Sequence, residues 1–302
     1  MFNGRKELLF VYSVKDANPN GDPLNANHPR YDEDTGQVLV SDVRIKRTVR
    51  DELLRIGEDV FIDGEPKTLK ERFEELKAKL GTSKGEDTLK KCIDTRLFGV
   101  TFALGKESFA WTGPVQFKWG RSLHRAKVEF IQGTGAFVTT EGGEQRTFRN
   151  EYIVPFALIG TYAIGNQYAS NKTDATDDDF KKLVEALWNG TNNLITRSKT
   201  EHRSRFLMEI TYKPEFNGLI GSLDERIKLT KNDDSLLDDD EQLALRSIQE
   251  VKINLEEIYD KILLLKDEIE KIKIIKDPDF KVTHLEDIKM VLGEDRVAVE
   301  LR

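Results

Sequence analysis

Ten cations in three clusters are the side chains of this sequence best suited to chemistry. Arg44, Lys46, Arg47 and Arg50 fall on one short stretch, Arg121 and Arg125 stand near the middle, and Arg197, Lys199, Arg203 and Arg205 follow later. Arginine and lysine hold phosphate oxygens without reading base identity. Three such clusters, each beside a strand or helix end, suit a groove that tracks a nucleic-acid backbone. The competing reading is solvated surface charge.

A second group is acidic. Asp16, Asp22, Asp32 and Asp34 crowd one loop rich in Pro and Gly. Carboxylates so clustered can hold Mg²⁺ and activate water, which would make a metal-dependent endoribonuclease with Asp16 or Asp22 as ligand. Asx-turn chemistry explains the same residues without a metal. The four histidines (His28, His124, His202, His284) are far apart and lack paired ligand spacing, so zinc is not expected. There is no Walker-type phosphate loop and no GxSxG, and no cofactor is expected.

The elements that must position these residues follow from pattern. An apolar strand is expected at about Lys6–Lys15, then a polar loop to Val40. Ser41 stands where a helix N-cap belongs, ahead of a basic helix at about Asp42–Ile56. Ile45, Val49, Leu53 and Ile56 share one face of that helix, with Arg44, Arg47 and Arg50 on the others and Lys46 at the border. Residues 57–105 read as a mainly helical insertion. Ser108–Lys118 is strand-like, and glycines punctuate short β-prone pieces over 119–153. Pro155–Gly165 reads as a buried strand, Thr173 to about Asn192 as a helix with acidic first turn, and Phe206–Tyr212 as a strand. Stripped of insertions, the order β, α, β, β, α, β is that of the ferredoxin-like fold shared by RNA-recognition domains. The fold class expected is therefore α+β. Leu245, Ile248, Leu255, Ile258, Ile262, Leu265 and Ile269 predict one long helix over Gln242–Ile275, stopped by Asp277-Pro278.

Composition narrows the partners. The net charge of −7 argues against a generally basic nucleic-acid binder. The charge is uneven, however: residues 221–302 carry 14 basic against 22 acidic side chains, and the rest 33 against 32. A local groove is thus compatible with the total, while non-specific duplex binding by the lone chain should be weak and salt-sensitive. The single cysteine, Cys92, allows no internal disulfide and fits a reducing cytoplasm. No apolar run approaches the length of a membrane helix, and the N-terminus is too short and mixed for a secretory signal.

The opening stretch also carries a resemblance. NPNGDP (Asn18–Pro23), the Thr35-Gly36 pair, SDVRIKR (Ser41–Arg47) and the Arg50-Asp51 pair resemble the RNA-binding backbone subunit, of the RAMP superfamily, in type I CRISPR Cascade complexes. The I-B form is the most similar, and the I-C form shares a similar opening. DTRLFG (Asp94–Gly99), TGPVQFKWGRSL (Thr112–Leu123), RNEYIVPFALIGTYAIGN (Arg149–Asn166) and ALWNGTNNLITRSKTEHRSRF (Ala186–Phe206) agree in order. The resemblance covers roughly the first 210 residues, and the tail beyond about 220 matches no motif.

It implies an RRM-like palm over 1–220, with the helical insertion at 57–105 and a β-hairpin thumb at 119–153. Residues 221–302 would form a C-terminal helical cap packed on the palm. The implied function is non-catalytic binding of CRISPR RNA, by subunits polymerising head to tail along the guide as a filament. Other Cascade subunits and the target DNA strand, reached through the guide, are the further partners implied. SDVRIKR would bind the RNA backbone, and the Arg197–Arg205 stretch would extend the positive surface or meet a neighbouring subunit. In such a thumb an apolar side chain displaces one nucleotide at regular intervals. Phe137 is the candidate here, with Phe130 and Ile131 as alternatives.

Overall fold

The first strand sets the plan. In a computed structural model that describes residues 1–134 and 148–302, β1 (Lys6–Ala17) is buried along nearly its whole length. Its alternate side chains divide between two cores: Leu8, Phe10, Tyr12 and Val14 enter one, Leu9 and Val11 the other. Period-two alternation in a continuous apolar run is what a strand covered on both faces requires.

In chain order the other elements are β2 (Tyr31–Asp32), β3 (Gln37–Val40), α1 (Asp42–Arg55), α2 (Leu69–Leu80), α3 (Gly85–Lys91), α4 (Ile93–Phe98), β4 (Gly99–Leu104), β5 (Glu107–Thr112), β6 (Val115–Phe117), β7 (Gly120–Ser122) and β8 (Glu129–Thr134). Then come β9 (Phe148–Gly165), α5 (Gln167–Thr173), α6 (Asp177–Asn192), β10 (His202–Tyr212), β11 (Lys228–Lys231), α7 (Asp239–Ala244), β12 (Val251–Asn254), α8 (Glu256–Leu265), β13 (Ile269–Lys276), β14 (Lys281–Val282), α9 (Leu285–Leu292) and β15 (Val297–Leu301).

The main sheet runs β15-β13-β10-β1-β9-β7-β3-β2, with β1 antiparallel to both β9 and β10. β9 is long enough to serve twice. Its inner half pairs with β1, β6 and β7, and its outer end pairs with β8, from Glu129↔Ile153 to Thr134↔Phe148.

Helices α1 and α6 cover one face. Ser41 caps α1 by accepting from the Arg44 amide at 3.3 Å, and Thr176 with Asp179 forms a capping box on α6. Ile45, Val49 and Leu53 pack with Phe180, Leu183, Val184 and Leu187. Ile56, by contrast, is half exposed, because α1 ends at Arg55 and the chain turns away there. Gly190 lets the two helices touch, since a Cβ there would lie 2.9 Å from the Thr48 carbonyl oxygen. Residues 57–105 form α2–α4 and the first strand of the β4–β5 hairpin around a small core of Phe61, Phe73, Leu76, Leu89, Cys92 and Phe102.

The long helix expected over Gln242–Ile275 does not form. The segment is broken into the end of α7, a 3-10 turn (Ile248–Glu250), β12, α8 and β13. Its apolar residues fit a helical period only by averaging over two strands. VKIN and IEKIKIIK are rich in β-branched side chains at alternate positions, and such runs favour strands. β10 offers an edge, and β13 takes it, with β15 added in parallel. Residues 221–302 are therefore mixed α/β rather than helical. Their Val251, Ile253, Ile258, Ile262, Ile272 and Phe280 share one core with Leu9, Val11, Met208 and Ile210 of the sheet.

Glu7 fastens this second layer. It is fully buried and accepts from the hydroxyls of Tyr162 and Tyr212 and from the amides of Ile220 (2.8 Å) and Gly221 (2.7 Å). Burial raises both tyrosine pKa values above the usual phenol range, so both hydroxyls stay donors. Glu7→Ala should leave these donors without an acceptor and cost roughly 3–5 kcal/mol. Urea denaturation followed by circular dichroism measures this, and a midpoint equal to wild type would remove the role.

Candidate nucleic-acid interface

An RNA-recognition domain stacks bases on an open sheet face. Here that face is closed by the core built from residues 220–297. The surface left for a polyanion is at the strand ends, where loops meet the start of α1.

Two remote parts of the chain converge there. The Lys15 amide donates to the Glu201 carbonyl (3.1 Å) and the Asn18 amide to the Ser198 carbonyl (2.9 Å), joining the NPNGDP loop to the TRSKTEHRSR segment. Asn20 Oδ1 accepts from the amide (2.8 Å) and hydroxyl (3.0 Å) of Ser41, which fixes the loop to the cap of α1. Lys199 Nζ donates to the Asn18 carbonyl (2.8 Å), and Arg44 donates to Thr48 Oγ1 (3.0 Å). Neither cation makes an ion pair among the described residues.

Positive charge acts on Lys199 and His202, while Asp51 acts on Arg44. Burial and the nearby Arg44 push the Lys199 pKa down to about 8. Burial, then Lys199 and Arg44, push that of His202 down to about 3. His202 is 3% exposed, stacks on Tyr12 with ring centres 6.1 Å apart, and has no hydrogen-bond partner on either nitrogen among the described residues. It lines a cavity of about 20 Å³ with Arg44, Tyr12 and Pro19, room for about one water. A phosphate does not fit inside, so an anion drawn to this charge would rest at the surface, on Arg44 and Lys199.

The other expected contacts divide. Arg197 and Arg203 are exposed, the first 4.0 Å from Glu151 and the second 3.8 Å from Glu201. Arg121 is half exposed and pairs with Asp32 at 3.1 Å. Lys46 bridges Asp42 (3.2 Å) and Gln116 (3.1 Å). Arg47 holds Asp51 and the carbonyls of Ile62 and Asp63, and Arg125 pairs with Asp239.

Two placements correct the spacing argument. Arg50 is buried, its Nε 2.8 Å from Asp94, and Asp94 also accepts from the amides of Phe61 (2.7 Å) and Ile62 (3.2 Å). A helical wheel put it on a solvent face because it cannot show the insertion folded over that side of α1. Arg205 ties Ser13 (2.8 Å) to Asp277 and is also committed internally.

The loop carboxylates serve turns. Asp22 accepts from the Leu24 amide (3.1 Å) and Asn25 Nδ2 (2.7 Å), bonds that hold its pKa below the usual carboxylate range. Asp32 accepts from the amides of Asp34 (3.2 Å) and Thr35 (3.3 Å). Among the described residues no group of three or more His, Cys, Asp or Glu is arranged to hold a metal ion. Phe137 lies outside the described residues, whereas Phe130 and Ile131 are exposed on β8. Sequence reasoning missed His202, which it tested only for zinc spacing, and Arg30, an isolated arginine inside the polar loop. Neither gave a signal in one dimension.

A two-layered sheet protein whose strand ends carry cations, two of them in no ion pair among the described residues, has the character of a nucleic-acid backbone binder. The chain belongs to the Cas7 family of CRISPR-associated proteins, whose family model matches residues 4–256. It is 28% identical over 304 positions to CRISPR-associated protein Cas7 of Haloferax volcanii, covering 90% of this chain and 87% of that one. Two solved chains share the fold. One comes from a structure titled CRISPR RNA-guided surveillance complex, pre-nicking (TM-score 0.58, 13% identity, 96% of this chain and 99% of that one). The other comes from a CRISPR RNA-guided surveillance complex (TM-score 0.55, 16% identity, 99% and 94%).

Two outcomes follow for stability. Arg50→Ala should strand the buried Asp94 charge and cost about 3–5 kcal/mol, while Arg44→Ala should cost under about 1 kcal/mol. Guanidinium denaturation compares them, and near-equal losses would contradict the placement of Arg50. His202 is held neutral when folded but binds a proton near pH 6.5 when unfolded. Stability should therefore fall as pH drops from about 6.5 toward 3, by up to about 4 kcal/mol. His202→Gln should flatten that slope, and an unchanged slope would show that His202 does not carry it.

Proposed function

We propose that this chain is a non-catalytic, CRISPR RNA-binding backbone subunit of a type I Cascade complex. Arg44 and Lys199 would hold the guide phosphates where the NPNGDP loop, α1 and the 193–203 segment meet, with Arg197 and Arg203 beside them. The observation that carries this is the convergence of two cations from sequence-remote stretches, neither in an ion pair among the described residues. Phosphate contacts of this kind accept any guide sequence. Family membership and the surveillance-complex folds support the class. The I-B form remains the variant its motifs resemble most.

The finer architecture is part of the same reading. The order β10-β1-β9-β7, with α1 and α6 on one face, supports an RRM-like palm over 1–220. The segment 221–302 would be its closing layer. The β8–β9 ladder supports a thumb at 119–153 that reaches a neighbouring copy, with an apolar wedge at Phe137 or on the exposed Phe130 and Ile131. Copies would then join head to tail, a heterologous contact that extends rather than closes. Other Cascade subunits and the target DNA strand would meet this filament in the cytoplasm. Among the described residues no helix is long and apolar enough to cross a membrane. The turn bonds that occupy Asp22 and Asp32 support a structural rather than a metal-binding role for the acidic loop.

Labelled CRISPR RNA tests this by mobility shift at fixed salt. Arg44→Ala/Lys199→Ala should bind at least about tenfold more weakly than wild type, with the RNA intact in Mg²⁺. With Lys199 near pKa 8 in the free protein and fully charged on RNA, affinity should fall as pH rises from 8 to 10. The limit is about tenfold per pH unit. Lys199→Gln should remove most of this dependence. Equal affinity of the double variant, or Mg²⁺-dependent cutting, would overturn the reading.

A further inference from the structure

We propose that Trp119 and Arg30 form a stacking site for one nucleobase of single-stranded RNA, distinct from the phosphate contacts at Arg44 and Lys199. The proposal rests on the RNA-binding reading and adds a nucleobase contact to it.

Trp119 lies between β6 and β7. Gly120 pairs with Val40, the residue before the α1 cap, and Arg121 with Leu39. On the other side of β3, the Leu39 amide donates to the Arg30 carbonyl (2.9 Å), and the Arg30 amide donates to the Asn20 carbonyl (2.8 Å). Loop, strand and Trp119 thus form one short lateral row at the start of α1. Asn18, two residues before Asn20, is the partner of Lys199. The row is therefore the opposite flank of the loop that carries the phosphate contacts.

The Arg30 guanidinium sits 5.4 Å from the Trp119 ring centre. It makes no ion pair and no side-chain hydrogen bond among the described residues, and its Nε is buried without a partner. The nearby Arg121 and Arg125, by contrast, pair with Asp32 and Asp239. The indole remains 42% exposed although the guanidinium lies against one side of it, which leaves ring surface open to solvent. The other two tryptophans are committed: Trp188 is core, and Trp111 donates to the Thr95 carbonyl and stacks on Phe109.

An open indole beside an arginine that makes no ion pair among the described residues fits a nucleotide unit. A base offers a flat face to the ring whatever its identity, and its carbonyl or adjoining phosphate offers an acceptor to the guanidinium. The loop side of the row, with Asn20 bonded to the amide and hydroxyl of Ser41, is not the apolar surround of a protein-binding hot spot.

Tryptophan fluorescence during titration with a uridine oligomer, alongside a length-matched abasic oligomer, tests the site. RNA should quench the wild type. Trp119→Phe should keep affinity within about threefold but lose most of the quenching. Trp119→Ala, checked for unchanged melting, should bind the uridine oligomer about 5- to 100-fold more weakly. It should bind the abasic oligomer as wild type does. Equal affinity of Trp119→Ala for the uridine oligomer would overturn the stacking site, as would equal weakening toward both oligomers. In both cases wild-type binding to RNA would leave the backbone reading standing. If wild type binds neither oligomer nor CRISPR RNA, that reading falls and the stacking site with it.

Discussion

A single buried carboxylate holds the two layers of this protein together. Glu7 sits in the middle of the central sheet with hydroxyls from two neighbouring strands and two amides from the crossing chain around it. A charge buried this deeply is tolerable only when its oxygens are filled with donors. Those donors come from β9, β10 and the segment at 220–221, so the carboxylate is satisfied only when all three are in place. Its position determines where the chain leaves the main sheet, and hence which sheet face the last third of the sequence covers.

That covering decides where nucleic acid can go. With both faces of β1 buried, the sheet has no platform left, and binding groups have to lie where strands end and loops begin. The loop after β1 is held on one side by the Arg197–Arg205 segment and on the other by the cap of α1. Arg44 and Lys199 face a common space because that loop is pinned twice, not because either helix or strand is basic overall. A chain of net charge −7 can present positive charge there because the acidic excess lies in the second layer.

The sequence made parts of this legible and hid others for physical reasons. The β1 run, the Ser41 cap and the acidic first turn of α6 were readable because each depends on local chemistry. The single helix expected over Gln242–Ile275 failed because β-branched side chains there answer to a neighbouring strand edge rather than to local periodicity. Arg50 and Arg205 look like their neighbours in the sequence, and only Asp94 and Asp277, folded in from far along the chain, separate them. Arg30, Trp119 and His202 carry no spacing at all. Their proximity to the loop arises from strand pairing, which single-residue patterns do not record.

β9 has a further consequence for how such a protein can vary. Its inner half alternates side chains between two filled cores, so one extra residue between 154 and 165 would exchange the faces of everything beyond it. Before Ile153 the strand lies outside both cores, where it pairs with β8 and meets Asn27 and His28 of the polar loop. Residues added or removed between Thr134 and Phe148 leave the register of the inner half untouched. The length of chain joining β8 to β9 can therefore change without renegotiating the interior.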